Sequence, residues 1–184
     1  GLASEMTEGA LYDPACGIAS ALISTVRAGA KPSRIVGTDI NRQALRVARQ
    51  RAFVHGIPAD FFQTDVLGRD ELPDLTAQVT ILEAPFGTKI DEYARLHDPR
   101  FGFGTPPKSF SDSAWLQHVI AHLSRTGIGY VLTTHGPLFR DAERVIRSEM
   151  LNRGCVEAIV SLPGKMLPHT SLPWVLWVLR APNP

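Results

Sequence analysis

The stretch from residue 11 to residue 19 constrains the fold most strongly, because it has the pattern of a buried strand that breaks into a tight turn and then a helix. Its sequence is Leu-Tyr-Asp-Pro-Ala-Cys-Gly-Ile-Ala, and residues 20–28 carry apolar side chains at helical spacing. The first backbone N–H groups of a helix have no partner within it. Gly17 lets a ligand approach the main chain without meeting a Cβ, and Asp13 places a carboxylate beside it. We therefore predict a ligand site at this turn, suited to a cation or an amine.

A second predicted strand, residues 35–40, contains an acid at its end. Asp39 stands where βαβ nucleotide sites place the carboxylate that binds ribose hydroxyls. After Gly17 the chain continues Ile-Ala-Ser-Ala-Leu, without the two later glycines that let a backbone approach a pyrophosphate. This disfavours NAD and FAD. S-adenosylmethionine carries a ribose and an adenine but no phosphate, and its sulfonium and amino groups suit nearby acids, so we predict that cofactor.

Two later strands also lead into acids. Residues 59–63 form a third predicted strand, which closes on Asp65, and residues 77–82 form a fourth, which runs into Glu83. Ligands of open α/β sheets bind at the carboxyl ends of the strands, so we expect the acids of all four strands to meet at one rim. Each acid alone could instead be a turn or cap residue, a role in which Asp is common. Their joint occurrence favours a site.

The rest of the sequence continues the alternation of helices and strands. Asn41 is a plausible cap for a helix over residues 42–55, and further helices are predicted over residues 112–123 and 140–152, with a fifth strand over residues 128–134. The last two predicted strands cover residues 155–162 and 172–180. Their link is too short for a crossover helix, so we expect them to pair antiparallel.

Composition indicates one globular domain. The chain has 184 residues, of which 44% are hydrophobic and 20% charged, which is enough for a sizeable core. Its formal net charge is +1, so any contacts with nucleic acid must come from local patches or another domain. Cys16 and Cys155 lack metal or disulfide spacing, and no leader or membrane-length apolar run is visible. We expect a cytoplasmic location and, because the first strand starts near residue 10, a fragment of a longer protein.

Between the fourth strand and residue 112 the periodicity lapses, and we predict a long functional loop over residues 88–111. Cations and aromatic residues alternate there, and the candidate DNA contacts among the cations are Lys89, Arg100 and Lys108. This mixture suits DNA phosphates and bases, although an ordered surface loop can have the same composition. His118 and His122 lie one helical turn apart without a third ligand or an H-E-x-x-H motif, so we predict no metal site.

Taken together, these motifs resemble those of the adenine-N6 DNA methyltransferases, in particular the modification subunit of type I restriction systems. The family's first motif is matched by Asp13-Pro14-Ala15-Cys16-Gly17, its ribose-binding segment by Asp39-Ile40-Asn41, and its adenine-contacting segment by Thr64-Asp65. More specific to the subunit are Asp98-Pro99-Arg100-Phe101, Pro106-Pro107-Lys108-Ser109 and Ala114-Trp115-Leu116-Gln117-His118. The resemblance covers about residues 10 to 180. It implies the S-adenosylmethionine-dependent methyltransferase fold, an α/β Rossmann-like three-layer sandwich whose mostly parallel seven-stranded sheet has an antiparallel final strand.

The resemblance also implies a cofactor, a substrate and a partner. These are S-adenosylmethionine, double-stranded DNA and a separate specificity subunit. In the cofactor site, the ribose would be held by Asp39, the adenine by Ile40 and Asp65, and the methionine part by the first-motif residues Asp13, Ala15 and Gly17.

At the fourth strand the family uses Asn-Pro-Pro-Phe or a related motif. A side-chain oxygen and a main-chain carbonyl accept the hydrogens of the adenine amine, and the aromatic ring stacks on the flipped base. The matching residues here are Glu83-Ala84-Pro85-Phe86, so the acceptor is longer and charged and one proline is lost. The extra methylene moves the acceptor by about 1 Å, which costs on the order of a hundredfold in rate. Ala19 also replaces an expected glycine in the first turn.

Three hypotheses follow from these motifs. The first is an active DNA adenine-N6 methyltransferase domain, with Glu83, Pro85 and Phe86 as its catalytic residues. The second is a catalytically inactive module that still binds cofactor or DNA in a defence complex, and it rests on Glu83 and Ala84. The third, methylation of proteins or small molecules, would gain support if residues 88–111 enclosed a closed pocket in place of an open groove.

Overall fold

The computed structural model describes residues 8–164 and 173–183 of the chain. The strands in these ranges are β1 (Ala10–Asp13), β2 (Arg34–Asp39), β3 (Asp60–Gln63), β4 (Ala77–Glu83), β5 (Leu123–Thr134), β6 (Val156–Leu162) and β7 (Trp174–Arg180). The α-helices are α1 (Ser20–Arg27), α2 (Arg42–Val54), α3 (Glu92–His97), α4 (Asp112–Ala121), α5 (Gly136–Phe139) and α6 (Arg144–Asn152). Short 3-10 helices cover Pro99–Phe101 and Asp141–Glu143. No helix in the described ranges is long and apolar enough to cross a membrane.

All seven strands belong to one sheet, in the order β3-β2-β1-β4-β5-β7-β6. The strands from β3 to β5 pair in parallel, whereas β7 runs antiparallel to both of its neighbours. The predicted mostly parallel sheet with an antiparallel final strand is therefore confirmed. The link between β6 and β7 lies largely outside the described residues.

Helices cover both faces of the sheet, which gives three layers. On one face, α1 and α2 pack against Leu11, Ile35 and Phe61. On the other, α4 and α6 pack against residues of β4, β5 and β7, among them the fully buried Trp177. Because successive residues of these apolar strands point to opposite faces, both faces of the sheet are apolar and both are covered by helices.

Helix α2 shows how well the local pattern predicts structure. The Asn41 side chain accepts hydrogen bonds from the backbone N–H groups of Gln43 and Ala44 at 2.9 and 3.2 Å, so the predicted cap is confirmed. Its inward face carries the buried residues Leu45, Ala48 and Ala52, whereas Val47 is 40% exposed.

The prediction of one long functional loop over residues 88–111 was wrong in part, because two short helices lie within this segment. The Asp91 side chain caps α3 by accepting from two backbone N–H groups, and Asp98 caps the following 3-10 helix. The rings of Phe101 and Phe103 are buried in the core against α4 and α6. These helices are too short to show a periodic pattern, so only their Asp caps could have revealed them.

Two further boundaries differ from the prediction. Strand β5 begins at Leu123, five residues before the predicted start at Ile128, because the ladder with β4 shifts register between Ala77 and Val79 and so continues past the irregular residues 124–127. The predicted helix over residues 140–152 begins at Arg144, after α5 and a 3-10 turn.

Candidate active site

Four acids lie at or near one edge of the sheet. Asp13, Asp39 and Glu83 are the last residues of β1, β2 and β4, and Asp65 follows β3 by two residues. Because these strands are adjacent and parallel, their carboxyl ends share one rim. The predicted convergence of the acids is confirmed.

A cavity of about 300 Å³ lies at this rim. It is lined by Pro14, Ala15, Asp39, Ile40, Thr64, Asp65, Val66, Pro85, Thr88, Lys89 and Trp115. The cavity thus brings together four predicted cofactor residues with Pro85 and Lys89, whereas the other predicted site residues lie outside its lining. Ile40, Asp65, Pro85 and Lys89 are exposed, so the cavity opens to solvent and does not enclose a small substrate.

The carboxyl group of Asp13 is buried just behind this cavity, with 3% of the residue exposed. It accepts a hydrogen bond of 3.1 Å from the backbone N–H of Ala15. Burial, with a smaller contribution from the charges of Asp39 and Glu83, raises the pKa of Asp13 from its ordinary 3.8 to about 7. A cation beside this group would favour its ionised form.

The two carboxylate oxygens of Asp39 hold the first turn and the start of the connection after β2. One accepts from the backbone N–H of Gly17 at 2.8 Å and the other from that of Asn41 at 2.7 Å. Each oxygen keeps a second acceptor position for a ligand hydroxyl. Gly17 has φ +52°, and a Cβ placed there would meet no atom within 4 Å, so the space above the turn is open.

Ala19 follows in a left-handed conformation, with φ 61° and ψ 31°. It is fully buried, and it is the one residue other than glycine with positive φ in the described part of the chain. The expected glycine at this position is therefore replaced by a residue that adopts the same backbone at a cost.

The fourth strand leads into a tight turn that presents the candidate catalytic residues. Glu83 is exposed, whereas Ala84 is buried and its N–H donates to Leu132 O at 2.9 Å. The Thr88 hydroxyl donates to Pro85 O at 3.2 Å and closes the turn. Phe86 is half exposed, and its ring lies 4.8 Å from that of Trp174 at the start of β7. The Trp174 ring thus packs against Phe86 at a tilt of 48°, while half of Phe86 stays exposed.

The three cations that we predicted to contact DNA differ in their surroundings. Lys89 is exposed at the cavity, and Lys108 is exposed in a 3.5 Å ion pair with Glu92. The prediction that Arg100 contacts DNA is wrong. Its side chain is only 6% exposed and is bound internally by Asp98, the carbonyl of Val66 and His118. A guanidinium that is satisfied within the core is not available to a phosphate.

Several residues of the cavity were missed by the sequence analysis. Val66 and Trp115 come from the connection after β3 and from α4, whose approach to the rim depends on tertiary packing. Trp115 is 4% exposed, and its indole N–H has no hydrogen-bond acceptor among the described residues. The signal for Trp115 was its place in the Ala-Trp-Leu-Gln-His string.

In residues 8–164 and 173–183, no three His, Cys, Asp or Glu side chains form a group that could hold a metal ion.

Comparison with known proteins gives consistent matches over the whole chain. A family profile described as N-6 DNA Methylase matches residues 2–184. The HindI type I restriction enzyme methylase subunit of Haemophilus influenzae is 31% identical over 96% of this chain and 42% of its own length. The crystal structure of a type I restriction-modification methyltransferase subunit from Streptococcus thermophilus is 28% identical, with a TM-score of 0.90, and covers 100% of this chain and 42% of its own.

A third match shows the fold alone. It is a Listeria monocytogenes protein assigned to the class I S-adenosylmethionine-dependent methyltransferases, with 16% identity and a TM-score of 0.80 over 97% of this chain and 55% of its own. The chain spans about two fifths of the length of the first two relatives.

Proposed function

Because the chain belongs to the N-6 DNA methylase family, we propose that it is the methyl-transferring domain of a DNA adenine-N6 methyltransferase that uses S-adenosylmethionine. The observation that carries the proposal is the cavity at the rim. Its lining combines Asp39, Ile40 and Asp65, at the ends of β2 and β3, with two residues that follow β4, Pro85 and Lys89.

The residues at the cavity fit the proposed cofactor. Asp39 is held by two backbone N–H groups and can accept from ribose hydroxyls, and Ile40 is 67% exposed, which leaves an apolar surface for the adenine face. Asp65, also at the cavity, is an acceptor for the adenine amine. The carboxylates of Asp39 and Asp65 disfavour a phosphate, so a cofactor without one suits this lining.

The turn after β4 supplies the groups for the transfer. Adenine N6 is a poor nucleophile because its lone pair is delocalised into the ring, so acceptors for its hydrogens are needed. In our proposal the Glu83 carboxylate and a main-chain carbonyl of the 83–86 turn accept these hydrogens, and Pro85 fixes the turn. Phe86, supported by Trp174, stacks on the base flipped from the duplex. S-adenosylmethionine supplies the methyl group when it is bound.

DNA would approach across the segment that begins with Lys89. Lys89 and Lys108 remain as phosphate contacts, and Tyr93 is a 73% exposed ring on the same segment. With a net charge of only +1, this domain has no bulk positive charge to attract DNA. We propose that a separate specificity subunit and the rest of the longer protein provide the remaining contacts.

Titration calorimetry with S-adenosylmethionine tests the cofactor assignment. We expect the unmodified chain to bind it and not NAD, and Asp39→Asn to weaken binding by about ten- to a hundredfold, the usual effect of losing a hydrogen bond to a charged group. Asp60→Asn is the matched control, because Asp60 is the first residue of β3 and so lies at the amino ends of the parallel strands, away from the cavity. Absence of binding to the unmodified chain, or equal affinities for the two variants, would contradict the proposal.

A second candidate function is favoured by one observation, the Glu83-Ala84 pair in place of an amide and a proline. In this case the domain binds cofactor or DNA without turnover. We expect Glu83→Asn with Ala84→Pro to raise N6-methyladenine formation on duplex DNA at least tenfold, because both changes restore the shorter acceptor and the stiffer turn. The assay is mass spectrometry of DNA incubated with the full-length protein and its partner subunit. Ala84→Pro alone is the control, because it removes the N–H that Ala84 donates to Leu132 O. A fall in methylation in Glu83→Asn that is absent from Ala84→Pro would show that Glu83 is itself the working acceptor.

A further inference from the structure

A chain of buried hydrogen bonds runs from Arg100 through the core to the first turn of the candidate site. Arg100 Nη1 lies 2.6 Å from His118 Nδ1, and His118 Nε2 lies 3.2 Å from the Tyr12 hydroxyl. The Tyr12 hydroxyl lies 3.3 Å from Thr38 Oγ1. The Thr38 hydroxyl donates to the carbonyl of Pro14 at 2.9 Å. Each of these four residues is at most 8% exposed.

The direction of these bonds follows from their first donor. An arginine only donates, so His118 Nδ1 accepts and the hydrogen of the neutral ring is on Nε2, where it is donated to Tyr12. Tyr12 then donates to Thr38. Burial, followed by the charges of His122 and Arg100, lowers the pKa of His118 well below its ordinary 6.5, which agrees with a neutral ring.

This hydrogen-bond chain reaches two walls of the cavity. At one end it fixes the carbonyl of Pro14, and at the other Arg100 Nη1 also donates to the carbonyl of Val66 at 2.7 Å. Pro14 and Val66 both line the cavity. Arg100 is itself held by Asp98, so the walls are tied to the segment that follows the catalytic turn.

We propose that Tyr12, Thr38, His118 and Arg100 are positioning residues, which hold the Pro14 and Val66 walls of the cavity at the spacing that the cofactor requires. Burying polar side chains costs free energy compared with apolar packing of the same volume, unless each is hydrogen-bonded. All four side chains here have hydrogen-bond partners. A contribution to core stability alone would not require the chain to end on carbonyls of the cavity lining. The proposal rests on the proposed function for the identity of the cofactor, though not for the fixing of the walls.

Two single-site variants interrupt the hydrogen-bond chain with little change in volume. Tyr12→Phe removes the hydroxyl between His118 and Thr38, and Thr38→Val removes the bond to the Pro14 carbonyl. The control is Gln117→Met. Gln117 is the neighbour of His118 on α4, is fully buried and bonds the backbone of Phe103 and Gly104 at 3.0 Å. It is not part of the cavity lining.

Hydrogen–deuterium exchange of the ligand-free protein is the first measurement. In the unmodified protein the amides of Ala15, Cys16 and Gly17 are hydrogen-bonded. We expect Tyr12→Phe and Thr38→Val to speed exchange of residues 15–17 at least tenfold beyond any change in the slowest core amides. Gln117→Met should speed exchange near residues 103–104 and leave residues 15–17 as they are.

Calorimetric titration with S-adenosylhomocysteine is the second measurement. We expect Tyr12→Phe and Thr38→Val to raise its dissociation constant about tenfold, and Gln117→Met to leave it within twofold. Uniformly faster exchange in all three variants, or equal dissociation constants, would overturn the proposal. If the unmodified protein binds no cofactor while exchange at residues 15–17 still responds selectively, the proposed function fails and the positioning of the walls stands.

Discussion

Ala19 has a backbone conformation that costs free energy for alanine but not for glycine. A left-handed conformation costs an L-residue about 1–2 kcal/mol, and Ala19 adopts it while fully buried. The position lies in the turn that leads into α1, directly after the candidate cofactor motif. The residue therefore combines local strain with tight packing.

Replacing Ala19 with glycine should separate these two effects. In Ala19→Gly, relief of about 1 kcal/mol of strain offsets the loss of a buried methyl group worth about 0.8 kcal/mol, so the free energy of unfolding should barely change. Ala48→Gly is the matched control, since Ala48 is equally buried but lies within α2. It should lose about 2 kcal/mol through the methyl group and helix propensity. Urea denaturation measures both, and equal losses would contradict the strain.

Asp13 makes stability depend on pH. Its pKa is about 7 in the folded chain and about 3.8 when unfolded, so between these values the folded state binds more protons. The contribution to stability is fully present below pH 3.8 and is lost as the pH rises to 7, by roughly 4 kcal/mol. Asp13→Asn cannot titrate, so it should lack this fall. Urea denaturation at pH 4.5, 6 and 7.5 would show converging curves for the two proteins at low pH, whereas parallel curves would refute the assignment.

At the scale of elements, the strands that carry the site were predictable and the segment behind it was not. Residues 35–40 were predicted as a strand and form Arg34–Asp39, because a short apolar run between turn residues has few alternatives. The segment over residues 88–111 contains helices of six and three residues, too short for periodicity. The burial of Arg100 depends on Asp98, Val66 and His118 together, and no local pattern shows that these residues meet.

This segment should behave in denaturation as part of the core. Phe101 is buried within it, whereas Tyr93 is 73% exposed. Phe101→Ala should therefore lower the free energy of unfolding by about 3–5 kcal/mol, and the control Tyr93→Ala by no more than about 0.5 kcal/mol. Thermal or urea denaturation measures both. Similar small effects would mean that residues 88–111 do form the surface loop predicted from their composition.

At the scale of the whole molecule, parallel pairing is what made the site predictable. Four acids distant in sequence could be placed on one rim because adjacent parallel strands end on the same side of a sheet. The walls formed by Val66 and Trp115 could not, since their position depends on how α4 and the connection after β3 pack. The common rim of the parallel strands can thus be predicted from the alternation of strands and helices, whereas the lining of the cavity depends on side-chain packing.

The strand order has a consequence for how such a domain can change. From β1 the chain winds outward through β2 and β3, then returns to β4 on the other side and winds the opposite way, so the cavity lies along the seam between two halves. In the proposed function, the first half carries the acids that hold the nucleoside, and the second carries the turn that takes part in methyl transfer. On that proposal, Glu83 and Ala84 lie on one side of the seam and Asp39 and Asp65 on the other, so a change in the turn after β4 can leave the nucleoside side as it is.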